Sequence, residues 1–155
     1  ICSYKWNNDL LLISEYVEGS SNNKAIEIAN FTGNAIDLSS YSLRKATNGS
    51  GSFSSVLNLD GNLANGQVYV IANTNANAII LNVANITNET VLSFNGNDAI
   101  GLFKNGILID LIGDELSSSV FAQDVTLQRK SSITSPYVTY TINCSDSTNS
   151  NWKTA

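Results

Sequence analysis

Asp98-Ala-Ile-Gly-Leu-Phe-Lys-Asn-Gly-Ile-Leu-Ile-Asp-Leu-Ile112 is the stretch that decides the fold class. Two apolar, β-prone runs flank Asn105-Gly106. That dipeptide suits a two-residue type I′ turn, whose central residues both need positive φ. Gly adopts such a conformation without steric cost and Asn at small cost. The stretch therefore reads as a β-hairpin.

Working outward, the same grammar repeats. Leu10 to Val17 is apolar and β-prone, and the loop Glu18 to Asn23 follows it. Lys24 to Asn30 alternates, with Ile26 and Ile28 on one face and Glu27 on the other, the mark of a half-buried strand. Ala35 to Arg44 reads as an irregular corner leading into a strand, and Phe53 to Leu59 as a strand closed by Asp60-Gly61. Gln67 to Ala72 is a nearly continuous apolar run that suits a central strand. Beyond the hairpin, Val125 to Arg129 and Tyr137 to Ile142 give two more. The Asn- and Ala-rich segment from Asn73 to Asn88 is a long loop or holds one short helix around Ala76 to Val83. Pro136, the only proline, can only open a strand or sit outside it. The pattern predicts an all-β, antiparallel sandwich or barrel of about seven to ten strands with little helix. Ile13, Ile26, Ile28, Leu43, Val68, Val70, Ile100, Leu102, Ile109 and Leu127 are the expected inward positions.

Composition narrows the functional classes. A chain of 155 residues fits one domain, taken as 1–155 with its core in about 10–152, and 43% apolar residues suffice for a core. Only 14% of the residues are charged, the polar remainder being largely Asn, Ser and Thr, which suits an extracellular β-protein. The net charge of −5, with eight basic residues, argues against a nucleic-acid or anionic-membrane surface. The absence of histidine removes the commonest general base and every Ser-His or Cys-His dyad. No apolar run reaches the ~18–20 residues of a membrane helix. The abrupt start at Ile1 suggests a mature or excised piece of something longer.

Several segments together resemble the bacterial lamin tail domain family. They are Ile13 to Ile28, Leu38 to Leu43, Leu63 to Ala72, Phe94 to Gly106 and Leu127 to Ser131, with Trp152 where such domains tend to finish. The resemblance implies an immunoglobulin-like antiparallel β-sandwich. It also implies an exported multidomain protein whose catalytic part, where there is one, lies in another domain.

Glu15, Glu18 and Glu27 cluster around one loop with Asn22 and Asn23, and such hard oxygen donors suit Ca²⁺. The plainer reading is a charged strand pair, in which Glu15 and Glu27 are neutralised by Lys24 or by Arg129. The planar fork of Arg129 is expected to pair with Glu27 or Glu15. Asp98 reads as a turn residue accepting backbone N–H bonds, and Asp110, inside an apolar strand, as facing solvent. Tyr4, Trp6, Tyr137, Tyr140 and Trp152 are either an aromatic platform for glycan stacking or packing at the chain ends, and packing is the preferred reading. Five Asn-x-Ser/Thr patterns, beginning at Asn30, Asn48, Asn85, Asn88 and Asn143, fit chance in so Asn-rich a chain.

Cys2 and Cys144 are the only cysteines, and an exported protein meets an oxidising environment. A disulfide between them is expected; two free thiols, or a lipid anchor on Cys2, are the alternatives. No catalytic residue and no resident cofactor is expected, Ca²⁺ being the one candidate. The expected function is a non-catalytic accessory or interaction module of a larger secreted or cell-surface bacterial protein. Its partners would be neighbouring domains, surface proteins or glycans. The alternative is a glycan- or nucleic-acid-binding module attached to an extracellular hydrolase or nuclease.

Overall fold

The computed structural model describes residues 9–138 and 152–155. Among them, twelve strands form an all-β sandwich. The count exceeds the expected range because three strands, β3 (Ile36–Asp37), β6 (Asn62–Leu63) and β8 (Ile86–Thr87), are two-residue pairings in corners that sequence reads as loop.

The larger sheet runs β12 (Trp152–Thr154), β11 (Thr126–Arg129), β1 (Leu12–Glu18), β2 (Lys24–Ala29), β7 (Val68–Ala72) and β8. The smaller runs β10 (Ile107–Ile112), β9 (Ala99–Lys104), β4 (Tyr41–Ala46) and β5 (Ser55–Asn58). Every pairing in the two sheets is antiparallel except β7 with β8. Parallel neighbours need a crossover, and it carries the short helix α1 (Ala78–Leu81) inside the segment where a helix was expected. Asn77 caps it, its Oδ1 accepting from the Ile80 amide at 3.1 Å. The β9–β10 turn is as the sequence dictates, with φ of 51° at Asn105 and 76° at Gly106.

The core lies between the sheets. Ile13, Tyr16, Ile26, Ile28 and Ile71 from the larger meet Leu43, Ile100, Leu102, Ile109 and Ile112 from the smaller. Tyr16 stacks on Phe94 with ring centroids 4.6 Å apart. Truncating one of these large aliphatics typically costs about 2–5 kcal/mol.

Two expected inward positions are corrected. Val68 is 44% exposed and Val70 only half-buried, while Tyr69 and Ile71 fill the core. Their run is apolar on both alternating faces, so periodicity cannot orient it. The ladder does: Ile28 stands opposite Tyr69 and Ile26 opposite Ile71, and residues opposite one another share a face.

Each sheet carries an irregularity that re-aims side chains. The β1–β2 register shifts between Ile13 and Glu15, and the β9–β10 register between Leu108 and Asp110. A bulge inserts one residue and inverts the alternation beyond it.

Candidate functional site

Asp110 is fully buried and does not face solvent. Strict alternation from the core residue Ile109 would turn it outward, but the β10 bulge leaves Ile109, Asp110 and Ile112 on the core side. Its Oδ2 accepts from Arg129 Nη2 at 2.5 Å and from the Ile13 amide at 2.7 Å, and its Oδ1 from the Tyr137 amide at 2.7 Å. Burial pushes this carboxyl up from its ordinary value, while the guanidinium and the two amides pull it back.

Arg129 pairs with Asp110, and not with Glu27 or Glu15 as expected. On β11 it is Gln128 that stands opposite Glu15, so the next residue, Arg129, faces inward. Its Nε donates to the Ile13 carbonyl at 2.9 Å, and its guanidinium lies 4.2 Å from the centroid of the Trp152 ring. Together the pair satisfies both backbone groups of Ile13, just beyond the last β1–β11 rung at Glu15. Trp152, 7% exposed, is therefore packing and not a stacking platform. Tyr137 contributes its backbone to the same site. Tyr4, Trp6, Tyr140, Cys2 and Cys144 lie outside the described residues, as does most of the expected strand from Tyr137 to Ile142.

The three glutamates do not converge. Glu18 is buried at the end of β1, where it pairs with Lys24 and accepts from the Asp124 amide. Lys24 also donates to the Gly19 carbonyl, so it is spent on closing the β1–β2 hairpin. Glu15 and Glu27 sit opposite each other on the outer face of the larger sheet. Among the described residues, no group of three His, Cys, Asp or Glu is placed to hold a metal ion.

That outer face has a definite make-up. The β1 bulge puts Ser14 and Glu15 on it together, and one row across the sheet reads Lys153, Gln128, Glu15, Glu27, Val70. Gln128 donates to Glu15 at 3.4 Å and the Ser14 hydroxyl to Glu27 at 2.7 Å, so both acids are held by neutral donors. Neither forms a salt bridge among the described residues. Burial first, then the neighbouring Glu27 charge, raises the Glu15 carboxyl above its ordinary value.

The outer face of the smaller sheet is the opposite kind of surface. One row reads Val56, Arg44, Gly101, Leu111 and the next Asn58, Ser42, Phe103, Leu108. Arg44 lies 4.4 Å from the Phe103 ring centroid, with its Nε donating to Ser42 Oγ at 3.0 Å. Phe53 meets Phe103 edge-on at 5.1 Å. The rings and Leu108 close over Gly101, where a Cβ would stand 2.7 Å from Leu108 Cδ1 and 2.8 Å from Phe103. Arg44 has no acidic partner among the described residues, and Val56 beside it is 45% exposed. In sequence Arg44 stands only beside Lys45, and two adjacent basic residues make no patch. The pattern that would have revealed the surface is Arg44 and Phe103 on one sheet face, which only the strand register shows.

Other expectations held. Asp98 accepts from the Asn48 amide at 2.9 Å and the Asn95 amide at 3.3 Å, as a turn residue should. Asn30 is fully buried, its amide nitrogen donating to the Asn34 and Leu63 carbonyls at 2.8 Å, which closes it as a glycosylation acceptor.

Two packed antiparallel sheets whose buried ions are spent on the fold define an immunoglobulin-like sandwich. Residues 7–115 match the family model of the Lamin Tail Domain, and the chain belongs to that family of immunoglobulin-like, non-catalytic domains. The Asp110 half of the buried pair lies inside the matched range and the Arg129 half beyond it. No curated protein matches the chain.

Proposed function

We propose that this chain is an accessory module of a larger exported bacterial protein, and that it positions that protein through contacts made by its sheet faces. One observation carries the reading. Asp110 with Arg129 and Glu18 with Lys24 are buried in structural pairs, whereas Glu15 and Glu27 on one outer face and Arg44 on the other have no ion-pair partner among the described residues. A polar rim around apolar surface is how contact surfaces are built. Burial of Lys24, Lys45 and Arg129 removes three of the eight basic residues from any nucleic-acid face, and Trp152 from any glycan platform.

The test is deletion of residues 9–155 from the protein that carries them. The remainder should keep its intrinsic activity per molecule and lose its retention at the cell surface. Hydrolysis of glycosides or phosphodiesters by the isolated chain, abolished by substituting one of its own carboxylates, would overturn the reading.

The disulfide belongs to the same proposal, because it presumes export. A Cys2–Cys144 bridge encloses nearly the whole chain, and loop-closure entropy allows roughly 4–5 kcal/mol as an upper figure. Thiol titration of the denatured, unreduced protein should find no reactive thiol; two per chain would mean that the bridge does not exist.

A further inference from the structure

From the complementarity of the two outer faces, we infer that the partner of each is a second copy of this chain, docked head to tail. Among the described residues, the face of the smaller sheet carries one cation, the half-buried Arg44, set on the buried Phe103 and flanked by the exposed Val56 and the half-buried Phe53 and Leu108. The face of the larger carries the carboxylate pair Glu15 and Glu27, flanked by Val68, Val70 and Val17. Each therefore offers what the other lacks: a fixed fork of donors on one side, two acceptors held by neutral neighbours on the other. A guanidinium can share its donors between two carboxylates, and stacking on a ring pre-orders it.

Charge also decides the symmetry. Larger sheet against larger sheet, centred on Glu15 and Glu27, would bring four carboxylates together with Lys153 displaced to the margin, and smaller against smaller would oppose two Arg44 side chains. Like charges across an interface are strongly disfavoured. The pairing left is heterologous, smaller sheet on larger, and a heterologous contact that does not close propagates. Among the described residues, the chain's own cations do not compete for the acids. Lys24 and Arg129 are buried in other pairs, and Lys153 stands two strands from Glu15 in the row.

This inference rests on the reading of the sheet faces as contact surfaces and names their partner. Sedimentation velocity of the 155-residue chain tests it, over a range of concentrations at low and high salt. The wild-type chain should show a weight-average mass that rises with concentration past that of a dimer, and the rise should be lost at high salt because these charges are solvent-screened. Arg44→Glu breaks one face, and Glu15→Gln with Glu27→Gln breaks the other without placing a new cation on it, so each variant alone should sediment as a monomer. Mixed in equal amounts they still own one intact face each, and should form a one-to-one dimer that grows no further. Thermal melts check that the variants are folded; Arg44→Gln replaces Arg44→Glu if the latter is not. A wild-type chain that stays monomeric, variants that still assemble, or a mixture that stays monomeric overturns the inference. None of these touches the module reading, which falls if deletion of residues 9–155 leaves surface retention unchanged or if the isolated chain proves to be a hydrolase.

Discussion

The two bulges place two carboxylates in opposite environments. In β1 the shift between Ile13 and Glu15 keeps Glu15 on the outer face, half in water and beside Glu27. In β10 the shift between Leu108 and Asp110 brings Asp110 wholly inside, against Arg129. The same local device thus makes one acid a surface feature and the other a fastening. The two are in contact through Ile13, whose amide Asp110 accepts and whose carbonyl takes Arg129 Nε. The residue at which β1 becomes irregular is bonded to the acid that the β10 bulge turns inward.

The contrast predicts very different costs of mutation. Asp110→Ala strands a buried guanidinium and two backbone amides, and should destabilise by about 3–5 kcal/mol in urea unfolding followed by fluorescence. Arg129→Ala should cost a similar amount and also perturb the near-ultraviolet signal of Trp152, which loses its stacked cation. The double replacement Asp110→Leu with Arg129→Met should recover most of either loss, because apolar pairs of similar volume often match a buried ion pair. If Asp110→Ala costs no more than Glu15→Ala, the contrast between the bulges is wrong.

Ser14→Ala probes the outer bulge. It removes the hydroxyl that donates to Glu27 and should cost about 1 kcal/mol, the usual net value of one hydrogen bond. A loss as large as that of Asp110→Ala would mean that the outer row is as structural as the inner pair.

The smallest effect belongs to Glu15→Gln, and its sign is the informative part. Because the folded-state value of Glu15 is raised above 4.5, the folded chain holds that proton more tightly than the unfolded one. Stability from this group is then fully present below the unfolded value and is lost as pH rises through the folded value. Glu15→Gln should therefore be slightly more stable than wild type at pH 7, by under about 1 kcal/mol given its exposure. The difference should vanish as the pH falls below about 4, the ordinary glutamate range. Guanidinium unfolding at a series of pH values would show it, and the opposite sign would mean that Glu15 has a cationic partner.

Most of the fold is legible in the sequence. Asn105-Gly106 forces its hairpin by backbone sterics alone. The alternation in Lys24 to Asn30 orients β2, and the segment from Asn73 to Asn88, which reads as a long loop or one short helix around Ala76 to Val83, holds α1. These are local properties, set by φ preference, side-chain period and capping, and a chain carries them wherever it goes. The order of strands is less local, but the resemblance covering Ile13 to Ser131 brought the sandwich with it.

What the sequence could not decide is everything that depends on register. Tyr69 and Ile71 face inward instead of Val68 and Val70 because Ile28 and Ile26 stand opposite them across the ladder. Asp110 is buried because one residue is inserted in β10, and an inserted residue has no signature in a run such as Ile107 to Ile112, where apolar residues fall on both alternating faces around the single Asp110. Arg129 finds Asp110, nineteen positions earlier, and not the glutamates beside its own strand, because Gln128 takes the outer position. Sequence alone determined which residues are charged and which segments are extended. Only the packing of one sheet on the other decided which charges are fastened inside and which are left on the two faces, since a shift of one residue exchanges the sides of every strand.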